Sequence, residues 1–249
     1  NPAAAVRGPS LVVSRGKTPV LTPEQTRQLL DSIPVEGVIG LRDRALIAVM
    51  VFSFARVSAV VGMALSDYFP EGKRWRLRLN EKGGKRHVVP CNHIAEEYLD
   101  AYIEAAGIAG QNELPIFRSI NRSRGVSTRA MTRNDALRMV RRRVSAAGLP
   151  QNVGCHTFRA TGITAYLSNG GTIENAQAIA AHESPRTTKL YDRRQDAISL
   201  DEIERIVICR QREWLCQLPG ARSAGDSGRK RVDGPPHQCP LRCVQTLVC

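Results

Sequence analysis

The longest apolar run, Ala45 to Phe52, is far shorter than the roughly 20 residues a helix needs to cross a bilayer, so it reads as a buried helix and no membrane partner is expected. Acidic side chains are scarce: 23 Asp and Glu stand against 36 Lys and Arg, leaving a formal charge of +13 and a pI near 10.0. That imbalance favours a polyanionic partner, most commonly nucleic acid, with simple solvated cations as the alternative from charge alone. Cysteines number seven, an odd count without repeated spacing. They read as the reduced thiols of a cytosolic protein, not as a disulfide framework. His237, Cys239 and Cys243 lie close in sequence, but their Pro-rich flank holds no fourth ligand at a standard zinc spacing, so no metal site is assigned.

What remains is a chain of 249 residues, 42% hydrophobic, enough for a substantial core in one large domain with or without appendages. Residues 1–20 mix Ala, Pro, Gly, Arg and Lys without periodicity and read as a linker. Thr22-Pro23-Glu24-Gln25 is a helix start, with Thr as cap, Pro in the first turn and Gln three residues after the cap, and the helix should run to about Ile33. Leu41 to Phe54 is apolar on nearly all sides and reads as a core helix, with Arg56 emerging at its end. An arginine there has a plain explanation, the satisfaction of helix carbonyls.

From Lys73 the hydrophobic period changes to two, with Trp75, Leu77 and Leu79 on one face and Arg74, Arg76 and Arg78 on the other, which predicts a half-buried strand. Gly83-Gly84 signals a tight turn, and Arg86 to Pro90 can return antiparallel with Lys82 at the tip. Taken alone, such a lysine is a solvated one. Asn92 to Ala106 reads as a helix ending at Gly107, with Tyr98 and Tyr102 turned inward. Leu114 to Phe117 is a short apolar piece, and Arg118 to Arg129 a basic loop able to touch a phosphate backbone. Thr132 caps a helix to about Ala147. Its run Arg138, Arg141, Arg142, Arg143 is too crowded for one groove-reading face and reads as phosphate contacts. Arg86, Arg118, Arg122, Arg124, Arg141 and Arg142 are the candidate DNA contacts. Thr172 caps a short helix through Ala181, Leu200 to Ile208 carries one apolar face, and residues 211–249 lack periodicity and are expected to be a disordered basic tail.

Chemistry concentrates between Cys155 and Tyr191. His156 and Arg159 are three apart on one helix face, His182 follows, and Ser184-Pro185 restarts a helix before Tyr191. Arginine offers phosphate a fixed fork of donors and histidine moves a proton near neutrality. A tyrosine, whose phenol ordinarily titrates at about pH 10, needs both a base and cations before it attacks. Together they suggest phosphate chemistry.

The pattern H-x-x-R, then A-H-x-S near a run S-P-R-T-T-K-L-Y, resembles the tyrosine site-specific recombinases, or phage-type integrases. Arg56 in FARVSAV and Lys82 in EKGGKRHVVP fill the two upstream places, and the resemblance covers roughly Thr22 to Ile208. It implies a mixed α+β fold, mostly helical with a small antiparallel sheet at one edge, and a catalytic domain over residues 21–210. In the family a smaller helical DNA-binding domain normally precedes the linker, and none lies within this chain. The implied partner is double-stranded DNA, bound by an oligomer that reaches a tetramer on recombination sites, with no small-molecule substrate, in a bacterial cytoplasm. The terminal helix would pack on a neighbouring protomer or on its own core. Implied roles are Tyr191 as nucleophile, Arg56 and Arg159 as the phosphate clamp, Lys82 as acid for the leaving oxygen, His156 as aid to proton removal and His182 as a phosphate donor. No cofactor or metal is implied, because fixed cations occupy its place.

The pattern departs at two places. An acidic residue usually stands three after the first arginine and supports the site's geometry, whereas this chain has Ala59 there, a loss that Asp67 could offset. Ala180-Ala181-His182 replaces the frequent Leu-Gly-His. Two rival readings follow: a DNA-binding module without cutting activity, and a type-I topoisomerase sharing the tyrosine chemistry.

Overall fold

A computed structural model describes residues 16–81, 83–122 and 125–192. The first part of the linker, Lys82, Arg124, the Leu200 to Ile208 segment, the tail and its His237, Cys239 and Cys243 lie outside the described residues.

The described chain is mostly helical with two small antiparallel sheets, as the sequence led us to expect in class. Helix α1 (Pro23–Asp31) opens on a capping box in which Thr22 accepts from the Gln25 amide and Gln25 returns a bond to the Thr22 amide. Helix α2 (Val38–Phe52) is the hub. Residues 45–50 are wholly shielded from solvent, and the helix packs on α4 (His93–Ala106) and α6 (Cys155–Ser168). A helix apolar all round belongs inside, and α2 is enclosed on every side. It ends at Phe52, and Arg56 is the N-cap residue of a new short helix, α3 (Val57–Val61), not the tail of the old one.

The first sheet has three strands in the order β1 (Tyr68–Glu71), β2 (Arg74–Asn80), β3 (Arg86–Pro90). Leu77 and Leu79 are buried and the alternating arginines lie outward or half-covered, as the period-two pattern predicts. Strand β1 was not legible beforehand because its four residues include a proline and a glutamate. Asn80 pairs with Arg86, so the turn lies between them, with Gly83 and Gly84 at φ of +83° and +76°. The β3 residue His87 reaches across through its Nε2 to the Ile179 carbonyl at 3.2 Å, tying the hairpin to α7 (Ile173–Ile179).

The supposed basic loop after Phe117 is a second hairpin, β4 (Arg118–Ile120) with β5 (Val126–Ala130). Arg118 itself is 3% exposed. Its guanidinium donates to Pro115 O and Gln111 Oε1, and its carbonyl accepts from Arg42. It is therefore a structural arginine, and its assignment as a DNA contact is withdrawn. Helix α5 (Arg133–Ala146) starts on the expected Thr132 cap, in a capping box with Asp135. Its Arg143 and Arg142 reach the fully buried Asp43 at 2.8 and 3.4 Å.

Apolar side chains form one large core around α2 and a smaller one of Phe54, Ala160, Ile163, Leu167, Ala176, Ala180 and Tyr191. The smaller core joins α6, α7 and the last short helix, α8 (Pro185–Lys189), which begins on the expected Ser184 cap and Pro185. Close approach of α6 to the end of α2 depends on Gly162, where a Cβ would stand 2.0 Å from the Val51 carbonyl oxygen and 2.7 Å from the Phe54 ring. Helix propensity alone favours alanine over glycine by about 1 kcal/mol. We therefore expect Gly162→Ala to lose on the order of 2 kcal/mol by denaturant titration, because overpacking against backbone outweighs propensity; a gain in stability would show the approach to be loose.

Candidate active site

Four chain segments converge where the two cores meet: the α2–α3 junction, the β2–β3 turn, the first turn of α6, and the stretch from Ala180 to Tyr191. Helix α6 starts at Cys155, which places His156 and Arg159 on one face. Arg159 points inward and is 1% exposed. It donates through Nη1 to the Phe54 carbonyl and through Nη2 to the Ala180 carbonyl, the latter at 2.6 Å. Its Nε is buried and has no hydrogen-bond partner among the described residues. A buried orphan donor on a cation is a natural seat for an anion's oxygen.

Both carbonyls are presented by strained backbone. Phe54 and Ala181 are the non-glycine residues with positive φ among the described residues, at 54° and 48°. Strain of this kind gathers at functional sites. It also accounts for the family's frequent glycine in Leu-Gly-His, since the left-handed conformation disfavours a Cβ.

Tyr191 arrives from the end of α8. Its ring sits in the smaller core at 8% exposure, and its backbone carbonyl accepts from the Thr164 hydroxyl of α6 at 3.1 Å. The phenol oxygen lies 3.0 Å from His156 Nε2, and His156 is exposed, so the reactive end is not sealed in. His182 stacks on the same tyrosine with ring centres 5.8 Å apart, and its Nδ1 lies 2.9 Å from the Thr188 hydroxyl. When Thr188 donates that bond, the His182 proton sits on Nε2, free to be offered to an oxygen.

Arg56 completes the cluster through an acid that the sequence reading missed. Glu81, the first residue after β2, accepts from Arg56 Nη1 through Oε2 and from the Arg56 amide through Oε1 at 3.3 Å. The same Oε1 is 3.8 Å from Arg159 Nη1. The alternation that buries Leu77 and Leu79 puts residue 81 on the inward face, and an acid at an inward position was the available signal. Asp67, the substitute expected for the missing acid, lies elsewhere: it accepts from the Ala64 amide at 3.0 Å and from Arg78 at 3.4 Å.

Electrostatics favour neutral histidines beside fixed cations. Loss of hydration around the imidazole, then the charges of Arg159 and Arg56, hold His156 below its ordinary value. The same causes in the same order, with His156 added, push His182 down to about 3. Desolvation and the neighbouring Arg56 also lower Arg159, with Glu81 opposing. Near pH 7 both imidazoles are therefore proton acceptors or neutral donors.

The arrangement brings Arg56, His156, Arg159, His182 and Tyr191 into one cluster, with Glu81 against both arginines and both imidazoles against the phenol. The sequence profile of the phage integrase family matches residues 19–197. The chain belongs to that family. Among curated relatives it is 28% identical over 194 residues to the tyrosine recombinase XerD of Corynebacterium glutamicum, covering 76% of this chain and 60% of the relative. It is 30% identical over 180 residues to XerC of Pelobacter propionicus, covering 72% and 55%. The chain thus spans about three fifths of the length of such relatives. Its fold is similar to that of the XerH site-specific recombinase in a post-cleavage complex with a palindromic difH substrate, with a TM-score of 0.58 at 22% identity over 70% of this chain and 49% of that one. It is similar also to a lambda integrase dimer bound to a COC' core site, with a TM-score of 0.56 at 20% identity over 79% and 54%.

Of the surface arginines, Arg86, Arg122 and Arg141 of this integrase-family chain are exposed, and the Arg142 side chain is 60% exposed while bonded to Asp43.

Two outcomes follow. Replacing Ala181 with glycine should stabilise the chain by about 1 kcal/mol, because it removes a left-handed Cβ, measurable as a raised denaturation midpoint; a loss would place the strain elsewhere. Because His182 binds its proton more weakly folded than unfolded, the unfolded state takes up more protons, and stability falls as pH drops from the ordinary histidine value near 6.5 toward about 3. That fall should be shallower in His182→Asn, and an unchanged slope would refute the assignment.

Proposed function

We propose that this chain is the catalytic part of a site-specific DNA recombinase that cuts and rejoins strands through a covalent 3′-phosphotyrosyl intermediate, serving the integration, excision or resolution of a mobile element. The observation that supports it most is the Tyr191 phenol 3.0 Å from His156 Nε2, beside a buried arginine that has a donor to spare.

In the proposed reaction Tyr191 attacks the phosphorus of a DNA phosphodiester while its proton passes to His156. Charge that builds on the non-bridging oxygens is met by Arg56, by Arg159 and by the His182 Nε2–H. The bond to the 5′-oxygen breaks, and Lys82, assigned from the sequence pattern, protonates the departing group. A 5′-hydroxyl from a partner strand then attacks the phosphotyrosine, the tyrosine recovers its proton, and the phosphodiester energy is retained throughout. Two reversible transfers therefore replace one hydrolysis, and no nucleotide triphosphate is required.

Double-stranded DNA is the proposed partner, held along its backbone by Arg86, Arg122, Arg141 and Arg142, with Arg124 added from the sequence. The working form is an oligomer, a tetramer on paired sites, acting in a bacterial cytoplasm. No described helix is long and apolar enough to cross a membrane.

A duplex selected from a random library by binding to the full chain, then nicked beside the scissile phosphate so that religation fails, tests the reading. A covalent protein–DNA adduct should accumulate and vanish in Tyr191→Phe, with a loss of at least about a thousandfold expected for removal of a nucleophile. Binding without adduct would replace this reading with that of a DNA-binding module, and relaxation of supercoiled plasmid without any preferred site would replace it with a topoisomerase.

A further inference from the structure

We propose that Glu81 is the positioning carboxylate of this site, supplying from the β2–β3 turn the support that position 59 does not. The inference rests on the recombinase reading above. Arg56 is the N-cap residue of α3, which makes Ala59 the third helical position. An acid at that position characteristically reaches back to the N-cap amide. Alanine has no atom to do so, and the Arg56 side chain makes no cap bond of its own. The amide is nonetheless satisfied, because Glu81 Oε1 accepts from it at 3.3 Å. Glu81 thus makes, from a distant segment of chain, the bond that a local acid would have made.

Its second oxygen holds the Arg56 guanidinium, and burial fixes which side it holds from. The Glu81 side chain is 1% exposed and that of Arg56 is 33% exposed. The carboxylate therefore lies behind the arginine, on the protein side, and the solvent side of the guanidinium is left for a phosphate. A carboxylate that blocked the site would stand in front. The 3.8 Å approach to Arg159 Nη1 lets the same group temper repulsion between the two arginines.

The placement also links two parts of the reaction. The Glu81 amide donates to the Lys85 carbonyl at 2.8 Å, and the Gly84 amide donates to the Glu81 carbonyl at 3.2 Å. Glu81 thereby closes the turn whose next residue is Lys82. Its backbone thus shapes the turn, and its side chain orients the arginine that would bind the phosphate. Support from position 59 would hold the arginine without touching the hairpin.

The test uses the full chain, the library-selected nicked duplex, and Glu81→Gln, which keeps the side chain's size and removes its charge. The single-turnover rate of adduct formation should fall on the order of ten- to a hundredfold, as is typical when the partner behind a ligating group is removed. DNA affinity should hold or tighten, since the site gains net positive charge; a merely structural defect would lower both. Ala59→Glu added to Glu81→Gln should bring the rate back to within a few-fold of the unaltered chain. If Glu81→Gln folds poorly, that double variant decides: recovery supports the proposal, and absence of adduct from a chain with native circular dichroism overturns it. An undiminished rate in Glu81→Gln overturns the positioning role and leaves the recombinase reading intact. No adduct from the unaltered chain removes both.

Discussion

A buried arginine holds this site together. Arg159 is 1% exposed, and an ion withdrawn from water at a cost of several kcal/mol persists only if its donors are answered. Carbonyls of Phe54 and Ala180 answer two of them, and those carbonyls belong to segments far apart in sequence. Satisfying one guanidinium therefore brings the end of α2, the start of α6 and the turn after α7 to a common point. The left-handed backbone at Phe54 and Ala181 is the local cost of aiming both segments at it. Once those three segments are fixed, the backbones of Arg56, His156 and His182 follow from chain geometry, while Glu81 and Thr188 hold the side chains of Arg56 and His182.

The same logic divides the chain's many arginines. Asp43, wholly buried, gathers Arg42, Arg142 and Arg143, and Arg118 closes its own turn through Pro115 and Gln111. These cations hold α2, α5 and the β4 region in place. A formal charge of +13 thus overstates what is presented to a polyanion, because part of it is engaged inside. Arg86, Arg122 and Arg141 remain outward, where the proposed complex would set them against a phosphate backbone.

Local signals were legible in proportion to how local their physics is. The caps at Thr22, Thr132, Thr172 and Ser184 were read correctly because each satisfies an amide within three residues. The β2–β3 hairpin followed from strict alternation and a glycine pair. Strands β1, β4 and β5 escaped because they are short, mixed in polarity and defined by partners. Arg118 looked like its basic neighbours, and only the carbonyls around it reveal burial. Glu81 was hidden for a related reason: it sits beside a glycine turn that reads as solvent-exposed, although the inward register of β2 marks position 81 as a covered one. The ordered pattern from Arg56 to Tyr191 led to the right family because it constrains identity and order together.

Burial and fixed cations together set what the histidines can do. Burial first, and then the charges of Arg159 and Arg56, discourage both His156 and His182 from taking a proton. The groups that would stabilise a charged phosphorane-like transition state therefore keep the neighbouring bases empty beforehand. When phosphate charge enters, it offsets the arginines, and His156 becomes more willing to accept a proton at the moment the tyrosine must release one. In the proposed reaction, substrate binding and activation of the nucleophile are thus one electrostatic event. Arginine suits this purpose and lysine does not, because only a group that never loses its proton can hold its neighbours' protonation constant.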